Sequence, residues 1–291
     1  MKIVTTATKL IGLIGMPLGQ TLSPRLQNET YRDLGLDFFY FPIELPDFEN
    51  FPQLIAGLRT MNFGGLAVTK PYKVEIMKYL DGCEEITRMI GSCNTIKIED
   101  GKWTGYNTDG IGALRSLRKE MGRDVSGLKF ISFGAGGSAR SVCFNLAQAG
   151  AGRIVITDIN ESSFQLADEI NHAFPGLAEA MLVDDPAYEA KVRQSDVLLN
   201  LSGLGMAPHL DKTPIPREWI EPRHICFEAV YNPAKTRFLA DAEQMGCKII
   251  NGMDMLLYQA VAQVEIWTGQ NGSDAEEYMQ KSLMRILQES H

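Results

Sequence analysis

The chain has few of the residues that build disulfide scaffolds and metal centres. Its five cysteines, Cys83, Cys93, Cys143, Cys226 and Cys247, are scattered and form no Cys-x-x-Cys pair. An odd, dispersed set speaks against a disulfide framework and a zinc site, and fits a reducing cytosol. The four histidines, His172, His209, His224 and His291, show no metal-ligand spacing, so no metal is expected. His224 reads as the entrance to a strand and the others as surface turns or the terminus; none is given a catalytic role. No stretch approaches the roughly 18 apolar residues of a membrane span. Met1 to Lys9 lack the apolar core of a signal peptide. A long basic run is also missing, and the net charge is −8, which excludes general nucleic-acid binding. Neither an internal repeat nor a low-complexity linker is present. The expected location is the cytoplasm, as a monomer or a homodimer.

The 291 residues suffice for two domains, and a composition of 45% hydrophobic and 22% charged residues is that of a globular protein. Near the middle, a strand-like run from Lys129 to Phe133 feeds into Gly134-Ala135-Gly136-Gly137-Ser138-Ala139 and then a helical stretch from Arg140 to Ala149. A second strand, Ile154 to Thr157, ends at Asp158. Strand, glycine turn, helix, strand and acid together form the pattern of a dinucleotide-binding βαβ unit. Gly134 permits the tight turn, Gly136 lets backbone N–H groups approach a pyrophosphate, and Ala139 is the small residue where helix and strand pack closely. The N-terminus of the helix adds donors and partial positive charge.

Asp158 can accept hydrogen bonds from the ribose 2′- and 3′-hydroxyls and repels a 2′-phosphate. Two unit charges about 4 Å apart interact by about 1 kcal/mol in water and about 4 kcal/mol at an effective dielectric near 20. Ile159, Asn160 and Glu161 follow, with no Arg or Lys to hold that phosphate. NAD is therefore favoured over NADP. The competing reading of Asp158 is a cap for the following turn or helix.

Along the chain, strands are expected at Lys9–Ile14, Phe38–Ile43 and Gly65–Thr69, with a hairpin of Asn94–Glu99 and Trp103–Tyr106 around Asp100-Gly101. Helices are expected at Arg25–Leu34 (capped by Ser23, with Pro24 first), Asp47–Asn62, Lys70–Leu80 and Thr87–Gly91. The cofactor domain opens near Gly110, with further strands at Ala180–Leu182, Val197–Leu201, His224–Ala229 and Lys248–Ile250. Met253–Thr268 and Asp274–Gln288 close the chain as helices, the last with Tyr278, Leu283, Ile286 and Leu287 as its apolar residues. The alternation implies an α/β protein of two domains. Residues 1–109 form an α/β substrate domain with a mainly parallel sheet. Residues 110–251 form a Rossmann-like dinucleotide-binding domain. Residues 252–291 fold back as helices to complete the first.

Four separated segments carry further chemistry: Gly15-Met16-Pro17 through Thr21-Leu22-Ser23-Pro24, Val68-Thr69-Lys70-Pro71-Tyr72-Lys73, Asn94-Thr95 with Gly105 to Gly110, and Asn251 to Gln259. With Asn200 to Met206, Tyr231-Asn232-Pro233 and Trp267-Thr268-Gly269, and in this order around Gly134, the chain resembles the shikimate dehydrogenase family over almost its full length. It is most like the NAD-dependent quinate/shikimate branch. The resemblance implies oxidation of one ring hydroxyl of a hydroxylated cyclic carboxylate, with hydride passing to the nicotinamide. It implies Lys73 and Asp109 as the catalytic pair: an ammonium stabilises a developing alkoxide, and a carboxylate orients the reacting group. Thr21 and Ser23 meet the substrate carboxylate, Thr69, Asn94 and Gln259 the ring hydroxyls, and Tyr40 adds a contact near the carboxylate. For the dinucleotide it implies backbone groups of Asn200, Leu201 and Ser202, and Tyr231, Gly252 and Met255 near the nicotinamide. Met206 reads as a core methionine.

Three positions depart from the family pattern. Thr21 stands where serine is usual and keeps the hydroxyl. Ala67 stands where asparagine is common, removing a hydrogen bond of about 0.5–1.5 kcal/mol and admitting a differently hydroxylated ring. Gln27 replaces a histidine common in the biosynthetic enzymes and agrees with the quinate/shikimate branch. The alternatives are an NADP-dependent biosynthetic shikimate dehydrogenase of aromatic amino acid biosynthesis, a paralogue acting on a related ring acid, and a ligand-sensing module without turnover.

Overall fold

The computed structural model describes residues 4–19 and 21–289, the side chain of Leu287 excepted; Met1–Ile3, Gln20, Ser290 and His291 lie outside it, and with them the position expected for His291. The chain folds as two compact units, Met1–Thr108 with Gln259–His291, and Asp109–Tyr258.

The first unit contains β1 (Lys9–Gly15), α1 (Ser23–Asp33), β2 (Phe38–Glu44), α2 (Phe51–Arg59), β3 (Phe63–Val68), β4 (Gly82–Cys83), α3 (Glu85–Ile90), β5 (Thr95–Glu99) and β6 (Lys102–Tyr106). Its sheet runs in the order β2-β1-β3-β5-β6-β4. The first three strands are parallel, as are β4 and β6, whereas β5 is antiparallel to both β3 and β6, so the sheet is mainly parallel with one antiparallel strand. The antiparallel step comes from the hairpin, whose turn residues Asp100 (φ 52°) and Gly101 (φ 75°) both take the left-handed conformation of a two-residue turn. Ile14, Leu66, Val68 and Ile96 bury one face with Phe51, Tyr72 and Trp103.

Two local expectations fail for identifiable reasons. Leu22 already has near-helical dihedrals (φ −85°, ψ −13°), so Ser23 is the first helical residue and makes no capping hydrogen bond. Instead Thr21 Oγ1 accepts from the Ser23 N–H at 3.3 Å. After β3 there is no α-helix to Leu80. The chain turns, with the Tyr72 N–H bonded to Thr69 O at 3.0 Å, into a short 3-10 helix at Glu75–Tyr79. The Tyr72 ring stacks on Phe51 (4.6 Å, 7°) and its hydroxyl donates to Leu45 O at 2.7 Å, holding this segment tight against α2.

The second unit contains α4 (Thr108–Met121, from Asp109 on), β7 (Lys129–Phe133), α5 (Gly137–Gln148), β8 (Arg153–Asp158), α6 (Ser162–Ala173), β9 (Ala178–Leu182), α7 (Tyr188–Gln194), β10 (Val197–Asn200), β11 (Ile225–Glu228), α8 (Arg237–Gln244) and β12 (Lys248–Ile250). Its sheet is wholly parallel in the order β9-β8-β7-β10-β11-β12, a doubly wound arrangement that reverses between β7 and β10. Its central strands read as continuous apolar runs because helices cover both faces: Phe130, Ile131, Ile154, Ile156 and Val197 to Leu199 are all fully buried. His172 lies in α6 rather than in a surface turn, because the apolar spacing of Leu166, Ala167 and Ile170 extends the helix through it.

The chain closes with α9 (Gly252–Thr268) and α10 (Gly272–Glu289). The division falls within α9, at Gln259 rather than at 252, because Gly252 lies directly on the Ala229 and Val230 carbonyls after β11. In the first unit, α10 packs on α1, where Ser282 Oγ donates to Glu29 Oε2 at 2.6 Å. Trp267 of α9 donates from Nε1 to Ile96 O at 2.9 Å and crosses the backbone of Gly65. A methyl on Gly65 would overlap the indole and stand 2.7 Å from Ile96 O. Gly65→Ala is therefore expected to destabilise the protein by about 1–3 kcal/mol, read as a lower urea midpoint with an unchanged slope.

Candidate active site

In the first unit, one edge of the sheet gathers most of the polar residues singled out from the sequence. The strands β1, β3 and β6 all end there and β5 begins there. The loop after β1 carries Thr21 and Ser23, both half-buried. It is tied to the loop after β3 by the Met16 N–H donating to Lys70 O (3.0 Å), while Thr69 N–H donates to Ile14 O (2.8 Å). The Cys93 N–H donates to Lys73 O at 2.8 Å, which brings half-buried Lys73 beside Asn94. Burial pushes the Cys93 thiol up to about 12, so it is no thiolate nucleophile.

Asn94, only 3% exposed, holds this edge together. Its carbonyl accepts from Val68 N–H (2.9 Å) and its N–H donates to Tyr106 O (3.1 Å). Its side-chain Oδ1 accepts from the Thr108 N–H (2.9 Å) and Thr95 Oγ1 (2.8 Å), and its Nδ2 donates to Thr108 Oγ1 (3.0 Å). Gln259 on α9 reaches the same group, its Oε1 lying 3.5 Å from Thr108 Oγ1. Tyr40 is a core residue: it is 1% exposed, its ring sits 6.0 Å from Trp267, and burial drives its phenol far above the usual range. Ala67 is buried in β3 beside Thr95.

In the second unit, Asp109 lies half-buried in the first turn of α4. The glycine turn leaves β7 at the point where strand order reverses, the usual place for a ligand crevice in such sheets. Gly134 has φ +104°, and a Cβ there would stand 2.8 Å from Ser202 Cα, so glycine is required on both counts. Gly136 and Gly137 differ: a Cβ on either would meet nothing within 4 Å. The fold itself does not demand glycine at these two positions, whereas a pyrophosphate lying against the backbone would. Ser138 is exposed in the first turn of α5 and Ala139 is fully buried against the sheet. A pocket of about 290 Å³ adjoins the turn, lined among others by Gly134, Gly136, Asp158, Ile159, Val183 and Leu201. These features fit a dinucleotide.

Asp158 ties the glycine turn after β7 to the backbone of the residue that follows it and does not cap α6. Its Oδ2 accepts from Ala135 N–H (2.8 Å) and its Oδ1 from Ile159 N–H (2.7 Å), so the Ala135 N–H is already engaged by the protein. Each carboxylate oxygen retains a second lone pair for a ribose hydroxyl. Leu201 is buried, Ser202 exposed and Tyr231 37% exposed. Met255 is buried, whereas Met206, read as a core residue, is 44% exposed. Met206 sits in the long loop after β10, where no strand or helix carries it inward.

Two participants escaped the sequence reading. One is Gln263, which donates to Thr95 beside Asn94. The other is Glu228, fully buried at the end of β11. Glu228 Oε2 accepts from Asn200 Nδ2 (2.7 Å) and Thr236 Oγ1 (2.8 Å), and its Oε1 from Val230 N–H (2.9 Å). It ties the loop after β10 to the loop after β11. The sequence signal was an acid closing a strand of otherwise apolar residues, Ile225-Cys226-Phe227-Glu228.

The family profile of the shikimate dehydrogenase substrate binding domain matches residues 13–96, and that of the shikimate 5'-dehydrogenase C-terminal domain matches residues 252–284. A shikimate dehydrogenase (NADP(+)) of Moorella thermoacetica is 38% identical over 267 residues, covering 91% of this chain and 90% of that one. A shikimate 5-dehydrogenase from Listeria monocytogenes, solved in complex with shikimate and NAD, is 34% identical with a TM-score of 0.91, covering 97% of this chain and 99% of that one. A quinate dehydrogenase from Corynebacterium glutamicum, solved in complex with NAD, is 26% identical with a TM-score of 0.85, covering 94% and 99%.

Burial raises the Glu228 carboxyl to about 7, against the hydrogen bonds that favour its charged form. An acid raised on folding binds more protons in the native state between its unfolded and folded values, so its contribution to stability is lost as pH rises from about 4.5 to about 7. Relative to Glu228→Gln, the wild type should lose on the order of 3 kcal/mol across that window. Urea titrations of both proteins from pH 4.5 to 8 test this. Parallel stability curves would show that folding leaves the proton affinity of Glu228 unchanged.

Proposed function

The chain belongs to the shikimate dehydrogenase family, and we propose that it catalyses the reversible NAD-linked oxidation of one ring hydroxyl of shikimate or quinate to the 3-dehydro ketone. The observation that carries this reading is the polar sheet edge on which Thr69, Lys73, Asn94 and Gln259 gather, in a chain that also carries a dinucleotide-type sheet and glycine turn. Such an edge offers hydroxyl and amide groups for a polyhydroxylated ring and one ammonium for the oxygen on which charge develops.

The residues divide the work as follows. Thr21 and Ser23 hold the substrate carboxylate through their hydroxyls. Thr69, Asn94 and Gln259 bind ring hydroxyls and fix the face of the ring. Lys73 stabilises negative charge on the reacting oxygen and shares its proton, and Asp109 accepts a hydrogen bond from the reacting hydroxyl and orients it. The dinucleotide, when bound, takes up or returns the hydride. Gly134, Gly136, Gly137 and Ser138 cradle its phosphates at the start of α5, Asp158 binds the adenosine ribose, and Asn200 to Ser202 with Tyr231, Gly252 and Met255 line its nicotinamide half. Tyr40, a core side chain here, supports β2 rather than the ligand. The proposed setting is the cytoplasm.

NAD is the preferred carrier in this proposal because Asp158 closes β8 and the next three residues, Ile159, Asn160 and Glu161, bring no positive charge for a 2′-phosphate. A second reading, NADP-dependent oxidation of shikimate, is favoured by the name of the Moorella relative.

Initial rates with NAD or NADP against shikimate or quinate separate these readings. Reduction of NAD by either acid is expected. Activity with NADP alone would favour the second reading, and no activity in any of the four pairings would sink the proposed substrate class. Lys73→Ala is expected to cut kcat by about a thousandfold while dinucleotide affinity stays within about twofold. Asp158→Ala should shift the NADP/NAD ratio of kcat/KM upward by about tenfold; an unchanged ratio would remove Asp158 from the ribose site.

A further inference from the structure

We infer that Thr95, with Gln263 and Gln27 behind it, is a positioning residue that acts with the Thr108 N–H to hold the Asn94 carboxamide in the one orientation it offers to the substrate. The inference rests on the reading of Asn94 as a substrate-binding group. Its premise is a directed line of hydrogen bonds through the first unit. Gln27 Nε2 on α1 donates to Gln263 Oε1 on α9 (3.3 Å), and Gln263 Nε2 donates to Thr95 Oγ1 on β5 (3.0 Å). Thr95 Oγ1 in turn donates to Asn94 Oδ1 (2.8 Å). Gln27 is wholly buried, as are Thr95 and Thr108, and Gln263 and Asn94 are each 3% exposed.

The direction of this line follows from one backbone group. The Thr108 N–H stands 2.9 Å from the Asn94 side chain and can only donate, so the atom facing it must be the oxygen. An oxygen there obliges Thr95 to give its single hydroxyl hydrogen to Asn94. Thr95 Oγ1 can then only accept from Gln263, which turns the amide of Gln263 so that its oxygen meets Gln27. Gln27 must donate in its turn, and it does so to Gln263 Oε1 and to Ala260 O (3.4 Å). The line ends at Gln27 Oε1, a buried acceptor with no partner among the described residues. Reversing any one amide would set two donors or two acceptors against each other in a dry interior, so the members hold one another in a single state.

With Oδ1 turned inward to Thr95 and Thr108, the end of Asn94 that recognises a ligand is its Nδ2 donor, one hydrogen of which is given to Thr108 Oγ1 (3.0 Å). A donor at this point selects a ring oxygen, either the hydroxyl or the ketone that replaces it. Without Thr95 the inward oxygen keeps its Thr108 donors but loses its shortest hydrogen bond, so the amide is held less firmly and its NH2 opens to solvent more often.

Two measurements test the inference. The first is solvent exchange of the Asn94 side-chain NH2, followed in ¹H–¹⁵N spectra and assigned by its loss in Asn94→Asp. Thr95→Val, which keeps shape and removes the hydroxyl, should speed this exchange about tenfold or more, and Thr95→Ser should leave it within about twofold. The second is kinetic: Thr95→Val and Gln263→Leu should raise KM for the ring acid about tenfold with KM for the dinucleotide unchanged, and Thr95→Ser should restore it. Equal behaviour of the Val and Ser variants would reduce Thr95 to a packing residue and overturn the inference. So would faster exchange with an unaltered ring-acid KM. If the wild type turns over no ring acid, the proposed function falls, and the exchange measurement alone then upholds or overturns the hydrogen-bond line.

Discussion

The first unit depends on the Asn94 carboxamide. A helix start leaves backbone N–H groups unpaired, and at α4 one of these, the Thr108 N–H, is buried away from water. Asn94 satisfies it while its own backbone spans β3 and β6. One residue therefore joins the antiparallel hairpin to the parallel strands and sets where the next helix begins. The proposed substrate contacts are built around it: Lys73 is held beside it through Cys93, and Gln259 reaches it through Thr108. The geometry of this edge follows from satisfying a buried donor.

The second unit solves a related problem with a carboxylate. Three donors from two segments, Asn200 at the end of β10 and Val230 and Thr236 in the loop after β11, converge on Glu228 at the end of β11. The loops they fix are those proposed to line the nicotinamide half of the cofactor. Gly252 then lies on the Ala229 and Val230 carbonyls with no room for a side chain, so the start of α9 is located by the same cluster. Both units place a buried acceptor at the ends of strands, where loops would otherwise be free to wander, and in both the groups proposed for chemistry are neighbours of that acceptor.

Asp158 shows how one side chain can serve fold and ligand together. The sequence offered two readings, a ribose acceptor or a cap for the following turn or helix, and in the structure the carboxylate is bonded to the Ala135 and Ile159 N–H groups. The proposed ribose contact uses the remaining lone pairs of the same oxygens. A carboxylate already held by two backbone donors is a rigid acceptor, and its charge is fixed in place against a 2′-phosphate.

What the sequence determined by itself is everything that rests on local period and local backbone chemistry. The βαβ unit around Gly134, the Asp100-Gly101 hairpin, the continuous apolar strands of the second unit and the closing helices were legible because turn residues and side-chain spacing act over a few residues. The family likeness was legible for the same reason, since its motifs are short and ordered. What only the tertiary structure decided involves partners far apart in the chain. The stretch after β3 became turns rather than a helix because Tyr72 is held by Phe51 and Leu45. Ser23 lost its capping role because the helix starts one residue earlier. Tyr40 went to the core and Met206 to the surface. Gln27, Thr95 and Gln263 became one hydrogen-bond line although α1, β5 and α9 are remote in sequence. Burial is what gives such polar residues their meaning, because a hydrogen bond withdrawn from water must be completed by whatever the fold brings near, and the chain's linear order does not record what that will be.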